Sequence, residues 1–340
     1  TDATLVITQA DQITGQQKLK NDQVFQDLTI AAPTNTTGYY GALYVNGVSG
    51  ASDSAVTVSG LKFLNNTTYT KAAEGKNQAL YGQGGAAAVY RSNIKFVDAQ
   101  FTGNTAQGHG GALLIATGTQ SPSEKCTVEV AVTANKKAVY AGNKAGSGYT
   151  KYEDMGGFAY LRDASTLTLD VAQGSFLTIG EAGAAQTAGL DSIASVGDGE
   201  QPKVTGGGSV TINGSTENFA GTITVESGSS LTMATGFGSR VTRQQIEANK
   251  TSGFDSATEA AESNLKLASV LSVESGASAT INDVLEITGQ TAATPQEGNT
   301  TNYQQAGTVV KVANGGAFVV DGIKVTSHTY ADKFAATAPK

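Results

Sequence analysis

The sequence predicts an all-β fold: a right-handed single-stranded parallel β-helix, a β-solenoid with loop and helical excursions. Three observations predict it. Gly-Gly-Ala recurs at Gly84-Gly85-Ala86 and Gly110-Gly111-Ala112, an interval of 26 residues that holds only short strand-like segments and Gly/Asn turns. An aromatic-x-x-Asn pattern recurs at Phe63 to Asn66, Phe101 to Asn104 and Tyr140 to Asn143, starting 38 and 39 residues apart. No comparable stretch carries the long 3.6-residue periodicity that a helical repeat would need.

Each element has a physical reading. Paired glycines (Gly84, Gly85; Gly110, Gly111; Gly156, Gly157) allow positive φ and close backbone approach where one coil turns into the next. Phe63, Phe96, Phe101 and Val89 are expected to point into the tube, with Tyr140 repeating the aromatic position. Asn66, Asn104 and Asn143 are expected at equivalent corners, where Asn tolerates the left-handed region. Stacked asparagines can also hydrogen-bond into a ladder along the axis. A coil of roughly 22 residues, sometimes skipped or stretched, fits the spacings and gives roughly 12 coils.

In chain order, residues 1–32 open with the strand Ala3 to Thr8 and read as a first coil or an N-terminal cap. The β-helix proper spans 33–326. Loops are expected at Thr67 to Gln83, Gly118 to Lys125 and Ala145 to Asp154, with a longer one at Glu181 to Pro202. Short coils return from Val204. An excursion over 236–268 breaks the pattern, and two polar helices, Val241 to Asn249 and Ser256 to Lys266, are expected there. Residues 327–340 read as a C-terminal cap or tail.

The repeat carries a resemblance. GGA[ILV] alternating with FxxN, clearest over about residues 38–160, resembles the repeat of the chlamydial polymorphic membrane proteins and related autotransporter passengers. The later segments Val225 to Thr232 and Val273 to Thr280 are similar to the VxxGxxLT coils of such passengers. The resemblance implies a right-handed parallel β-helix displayed outside a Gram-negative cell, often as an adhesin. No translocator barrel pattern is present here. The chain is therefore expected to be a passenger fragment, a processed passenger or a stand-alone secreted relative.

Composition narrows the function. Charged residues make up 15%, Gly is abundant at 42, Pro is scarce at 5 and Trp is absent, which argues for ordered β-structure over disorder. A net charge of −7 argues against nucleic acid and anionic membrane surfaces as partners. No apolar run is long enough to insert in a membrane as a helix. The one cysteine, Cys126, reads as a small buried residue, and no internal disulfide can form.

Gly108-His109-Gly110 resembles the GHG of polygalacturonases, and Arg91 and Lys95 precede it. Hydrolysis of a glycosidic bond needs two facing carboxylates. The nearest acids, Asp98, Asp154 and Asp163, are dispersed, so a turn is the better reading. With two histidines, His109 and His328, material for a metal site or a triad is scant. No enzyme activity, no catalytic residue, no metal and no cofactor is expected. Tyrosines crowd the first half, and Tyr69, Tyr81, Tyr149 and Tyr152 are the candidate contacts, because exposed Tyr makes adaptable binding surface. The expected function is a secreted, extracellular interaction protein of the bacterial cell surface, an adhesin. Its partners would be a host-cell protein or glycan, or other copies of itself. A self-assembling structural subunit of a filament or surface layer is the first alternative and a polysaccharide-active enzyme the second.

Overall fold

The structure is a computed structural model, and it describes residues 4–13, 19–32, 41–70, 82–117, 126–146, 156–162, 165–182, 189–195, 201–214, 222–234, 238–240, 271–288, 291–292, 310–326 and 329–330. Its strands are short and pair in parallel with strands one turn away, so the chain is a parallel β-helix. Among the described residues the helical elements are two 3-10 turns, Ala10–Ile13 and Ala51–Asp53.

The tube has four walls. Wall 1 is a six-stranded sheet from Leu5–Ile7 through Leu43–Asn46, Ala87–Tyr90, Leu113–Ala116 and Ala159–Arg162 to Ile193–Ser195. Wall 2 has eight strands, from Val56–Ser59 to Val310–Val312. Wall 3 begins with Val24–Gln26, Lys62–Leu64 and Gln100–Thr102. A bridge from Thr102 to Ala141 links it to Lys137–Tyr140, Phe176–Ile179, Ser209–Ile212, Ser230–Met233, Ser278–Thr288 and Ala317–Thr326. Wall 4 is short: Thr29–Ala32, Thr67–Thr70, Thr105–Ala106 and Lys144–Ala145. The second to fourth turns visit walls 1 to 4 in order.

Alternation decides which side chains enter the tube. Phe63, Phe96, Phe101 and Val89 are fully buried in the core, as expected. Phe25, Phe63, Phe101 and Tyr140 form one inward column. Ring centroids lie 4.9 Å apart for Phe25–Phe63 and 5.2 Å for Phe63–Phe101, both stacked, close to the spacing of the strands themselves. In register, the column continues as Ile179, Ile212, Met233 and Ile281, so its first half is aromatic and its second aliphatic.

The coil length differs from the expectation of roughly 22 residues. Asn66 and Asn104 are neighbours across one turn and lie 38 residues apart, so the aromatic-x-x-Asn interval is a whole turn with no skip. Later steps vary: paired wall 3 residues lie 33 residues apart from Phe176 to Ser209, 21 from Ser209 to Ser230 and 48 from Ser230 to Ser278. Among the described residues wall 2 has eight strands, fewer than the roughly 12 coils expected. The Gly-Gly-Ala interval is one turn, as read, since Ala87 pairs with Leu113.

The glycines of each pair divide the labour. The first, Gly84, Gly110 or Gly156, has φ of +70°, +68° or +70°. The second, Gly85, Gly111 or Gly157, packs so tightly that an added Cβ would fall within 3.0 Å of backbone atoms of the next turn, Lys144 and Gly157 in the case of Gly111. The corner asparagines need a correction. The left-handed position is held by the preceding residue, namely Asp27, Asn65, Gly103 and Gly142 at φ of 53°, 54°, 68° and 74°. Asn66, Asn104 and Asn143 do not have positive φ.

Other boundaries shift too. Residues 1–32 hold a first coil, because Leu5–Ile7, Val24–Gln26 and Thr29–Ala32 each pair with the following turn. The expected loop Thr67 to Gln83 begins as a wall 4 strand, and Ala145 ends one. Strand Ile193–Ser195 interrupts the expected loop Glu181 to Pro202, and Gln201–Thr205 takes up its end. Within 236–268, Gly238–Arg240 form a strand paired with Glu286–Thr288; the helices expected in that stretch lie outside the described residues, as does the loop at 118–125. In the tail, Thr329–Tyr330 pair with Thr291–Ala292.

Phe101 touches Phe63, Phe96, Tyr140 and Phe158. Phe101→Ala should therefore cost about 3–5 kcal/mol through the cavity it leaves. Chemical denaturation measures this; an unchanged midpoint would show that the ring does not carry the stack.

Candidate functional site

The most ordered polar feature lies at the wall 3 to wall 4 corner. Asn66, Asn104 and Asn143 are fully buried there, and each comes just after its left-handed residue. Asn66 Nδ2 donates to Asn104 Oδ1 at 2.9 Å, and Asn104 Nδ2 to Asn143 Oδ1 at 3.0 Å. The same amide groups donate to the carbonyls of Phe25, Phe63 and Phe101 one turn back. Backbone N–H groups of Leu28, Asn66 and Asn104 donate to the oxygens of the next rung. The expected ladder is thus present, and it satisfies the corner's buried amide groups.

The ladder ends on a residue the sequence reading passed over. Asn143 donates from its backbone N and its Nδ2 to Asp191 Oδ1, at 2.8 and 3.2 Å, while Gly142 N donates to Asp191 Oδ2 at 2.8 Å. Three donors converge on a carboxylate that can only accept, so Asp suits this place better than a fourth Asn. The chain arrives here reversed: Leu190 bridges Lys144 antiparallel, and Asp191 has φ of 47°. Burial, and the charge of Glu181, push the Asp191 carboxyl above the usual range despite the hydrogen bonds from Asn143 and Gly142 that favour ionisation.

The wall 4 to wall 1 connection forms a second polar stack. Gln107 N donates to Thr68 O, Gly108 N to Gly82 O, Gly84 N to His109 O and Gly146 N to Gly108 O, all at 2.8–2.9 Å. Here a small second core covers the outer side of wall 1: Ala88, Leu114, Tyr160 and Ala194 pack with Ala145 and Tyr44. The middle of wall 1 is thus buried on both faces, which accounts for the unbroken apolar run Leu113–Ala116. His109 is buried against the Tyr160 ring, centroids 4.3 Å apart. Burial and then the charge of Arg162 lower its pKa to about 3, so the imidazole is neutral at physiological pH. Its Nδ1 has no hydrogen-bond partner among the described residues.

Of the candidate contacts, Tyr69 is half-buried in the wall 4 strand beside Ala31 and not in a loop. Tyr81, Tyr149 and Tyr152 lie outside the described residues. In chain order, however, segments 71–81 and 147–155 both fall at the wall 4 to wall 1 connection, one in the second turn and one in the fourth.

The residues weighed for hydrolysis are held elsewhere. The Arg91 guanidinium lies 4.6 Å over the Tyr90 ring. Lys95 pairs with Glu129 and with Asp170 at 3.1 Å on the outer face of wall 2. Only register brings that trio together, since its members lie on three successive turns. Burial and the neighbouring Asp170 raise the Glu129 pKa, offset in part by Lys95. Asp98 accepts from Lys136 at 2.6 Å and from Thr133; these bonds outweigh burial and lower its pKa. Asp154 and Asp163 lie outside the described residues. Among the described residues no group of three or more potential metal ligands gathers.

No protein-family model matches the chain, and no solved structure matches it. Over 130 residues it is 33% identical to a protein described as "Probable autotransporter YfaL" of Escherichia coli (strain K12), covering 38% of this chain and 10% of that protein. The chain is similar to an autotransporter. It spans about a tenth of that relative's length, so the similarity bears on the kind of protein and leaves the relative's whole activity aside.

Two outcomes test the corner. Asn104→Ala strips acceptors and donors from both neighbouring rungs and should cost about 3 kcal/mol or more, while Asn65→Gly beside it should be near neutral. Equal denaturation midpoints for the two would remove the ladder's energetic role. Because the folded pKa of Asp191 is raised, its stabilising contribution is present below the unfolded value and is lost as pH rises through the folded one. The stability of wild type relative to Asp191→Asn should therefore grow as pH falls from 7 to about 4, the unfolded carboxylate range. A flat difference in urea titrations would reject the assignment.

Proposed function

We propose that this chain is a passenger segment of a bacterial surface-displayed protein that acts by binding and not by catalysis, as an adhesin toward a host-cell protein or glycan. The observation that carries the reading is where the longer connections between walls fall in the chain. In chain order, segments 33–40, 71–81 and 147–155 each follow a wall 4 strand, in the first, second and fourth turns. Tyr39, Tyr40, Tyr81, Tyr149 and Tyr152 fall in these segments. Recognition residues concentrate on loops held by a rigid frame, and several weak contacts sum to useful affinity. The similarity to an autotransporter supports export to the cell surface. The alternating GGA and FxxN motifs support a repeat of the chlamydial polymorphic membrane protein type. Burial and neutrality of His109, and the engagement of Lys95 with two acids, support binding over hydrolysis.

Replacing Tyr81, Tyr149 and Tyr152 together with Ser should lower attachment to a cognate cell surface at least about tenfold, through loss of three aromatic contacts, without shifting thermal unfolding. Unchanged attachment, or shortening of a glycan by the wild-type chain, would overturn the reading.

A further inference from the structure

The outer face of wall 3 differs in character from that of wall 2. From Phe176 to Val319 the strands keep an unshifted register across five turns, so their outward residues make a grid two positions wide. Three turns in succession present Ser-x-Thr: Ser209-Val210-Thr211, Ser230-Leu231-Thr232 and Ser278-Ala279-Thr280. The middle residue of each is buried and the hydroxyl residues are partly exposed. Ser230 Oγ donates to Ser209 Oγ at 2.8 Å, which links two of these hydroxyls along the axis. Exposed apolar groups flank them, Phe176 at 48% on one side and Val319 at 57% on the other. None of the grid positions is charged, in a chain of net charge −7. Wall 2, by contrast, carries Lys95, Glu129, Asp170, Lys203 and Lys311 on its outer side. Lys137, whose Nζ lies 5.7 Å from the Phe176 ring, marks the charged border of the field.

We propose that this face binds a neutral polysaccharide chain laid along the tube axis. The proposal rests on reading the chain as a binding module and names the ligand class. Hydroxyls about 4.8 Å apart along the axis and about 6.7 Å apart across it suit a ligand whose own hydroxyls repeat along a chain. Ser and Thr both donate and accept, so they serve either sense of a sugar hydroxyl. Phe176 offers a ring face to the apolar side of a sugar. Absence of charge disfavours an acidic or basic polymer, which would lose its ionic solvation without gaining a partner. Size argues against a second copy of the chain. The grid covers a few hundred Å² at about 4.8 Å per turn, below the roughly 800 Å² per partner of a stable protein interface. A single thin glycan strand needs no more.

The test is affinity gel electrophoresis of the full chain through hydroxyethyl cellulose, a soluble mannan and a soluble β-glucan, with polygalacturonate as the acidic control. Retardation by at least one neutral polymer and none by polygalacturonate is expected. Thr232→Glu and Phe176→Ser should each weaken that binding at least about tenfold, because one buries an unpaired charge under the ligand and the other removes the ring. Both side chains point outward, so melting temperature and far-UV circular dichroism should match wild type. Absence of retardation by all three neutral polymers overturns the assignment, whatever cell attachment shows. So does equal retardation of Thr232→Glu. A concentration-dependent dimer in sedimentation that Thr232→Glu abolishes would give the face to a second copy and overturn it likewise. Retardation without cell attachment would leave the glycan face standing and reject the adhesin reading.

Discussion

Successive turns of this tube lie about 4.8 Å apart, and parallel pairing holds each residue beside its counterpart in the next turn. An inward side chain therefore packs against whatever occupies the same position one turn away, and the core is a set of columns rather than a cluster. Columns of like residues solve this well. Phenylalanine rings stack at nearly the strand spacing, and asparagine amides donate to the amide one turn on. The glycine pairs follow from the same constraint. At the wall 4 to wall 1 connection the backbones of neighbouring turns approach so closely that a β-carbon has no room, and only residues without one fit.

The turns differ along one axis. Those with neighbours at 38 and 39 residues carry four walls, an aromatic column and the buried amide ladder. Past the ladder the same inward column is aliphatic, Ile179, Ile212, Met233 and Ile281, while the steps between paired strands vary from 21 to 48 residues. The identity of a column therefore follows register and not the number of residues in a turn.

What could be read from the sequence follows from this column logic. Repeated motifs report columns directly, so Phe63, Phe101, Asn66 and Asn104 were legible as inward rings and stacked corner amides. Phe25 belongs to the same column but escaped, because Leu28 stands where the pattern has Asn. Turn length was misjudged because the two motifs mark different walls, and loops between walls vary, so the intervals looked incommensurate. Wall 4 was hidden for another reason. Its strands Thr105–Ala106 and Lys144–Ala145 are two residues long, too short for alternation to show. The Lys95, Glu129 and Asp170 trio needs three-dimensional register and has no local signature. Tyr69 was read as a loop residue because Thr67–Thr70 is polar, although threonine and tyrosine are also good strand formers.

The amide ladder also has a sense of direction. From amide to amide every rung donates toward later turns, while the second hydrogen of each NH₂ goes to a carbonyl one turn back, so donors face outward at the last rung as they do at a helix N-terminus. A carboxylate stands at that end. Asp191 is to the ladder what an N-cap aspartate is to a helix: a stop written in charge and hydrogen bonding. Extending the aromatic turns by one more unit would require an amide at that position, to pass the donor sequence onward, and a chain that no longer doubles back at Leu190. Among the described residues the ladder thus closes on a side chain that accepts and passes no donor onward.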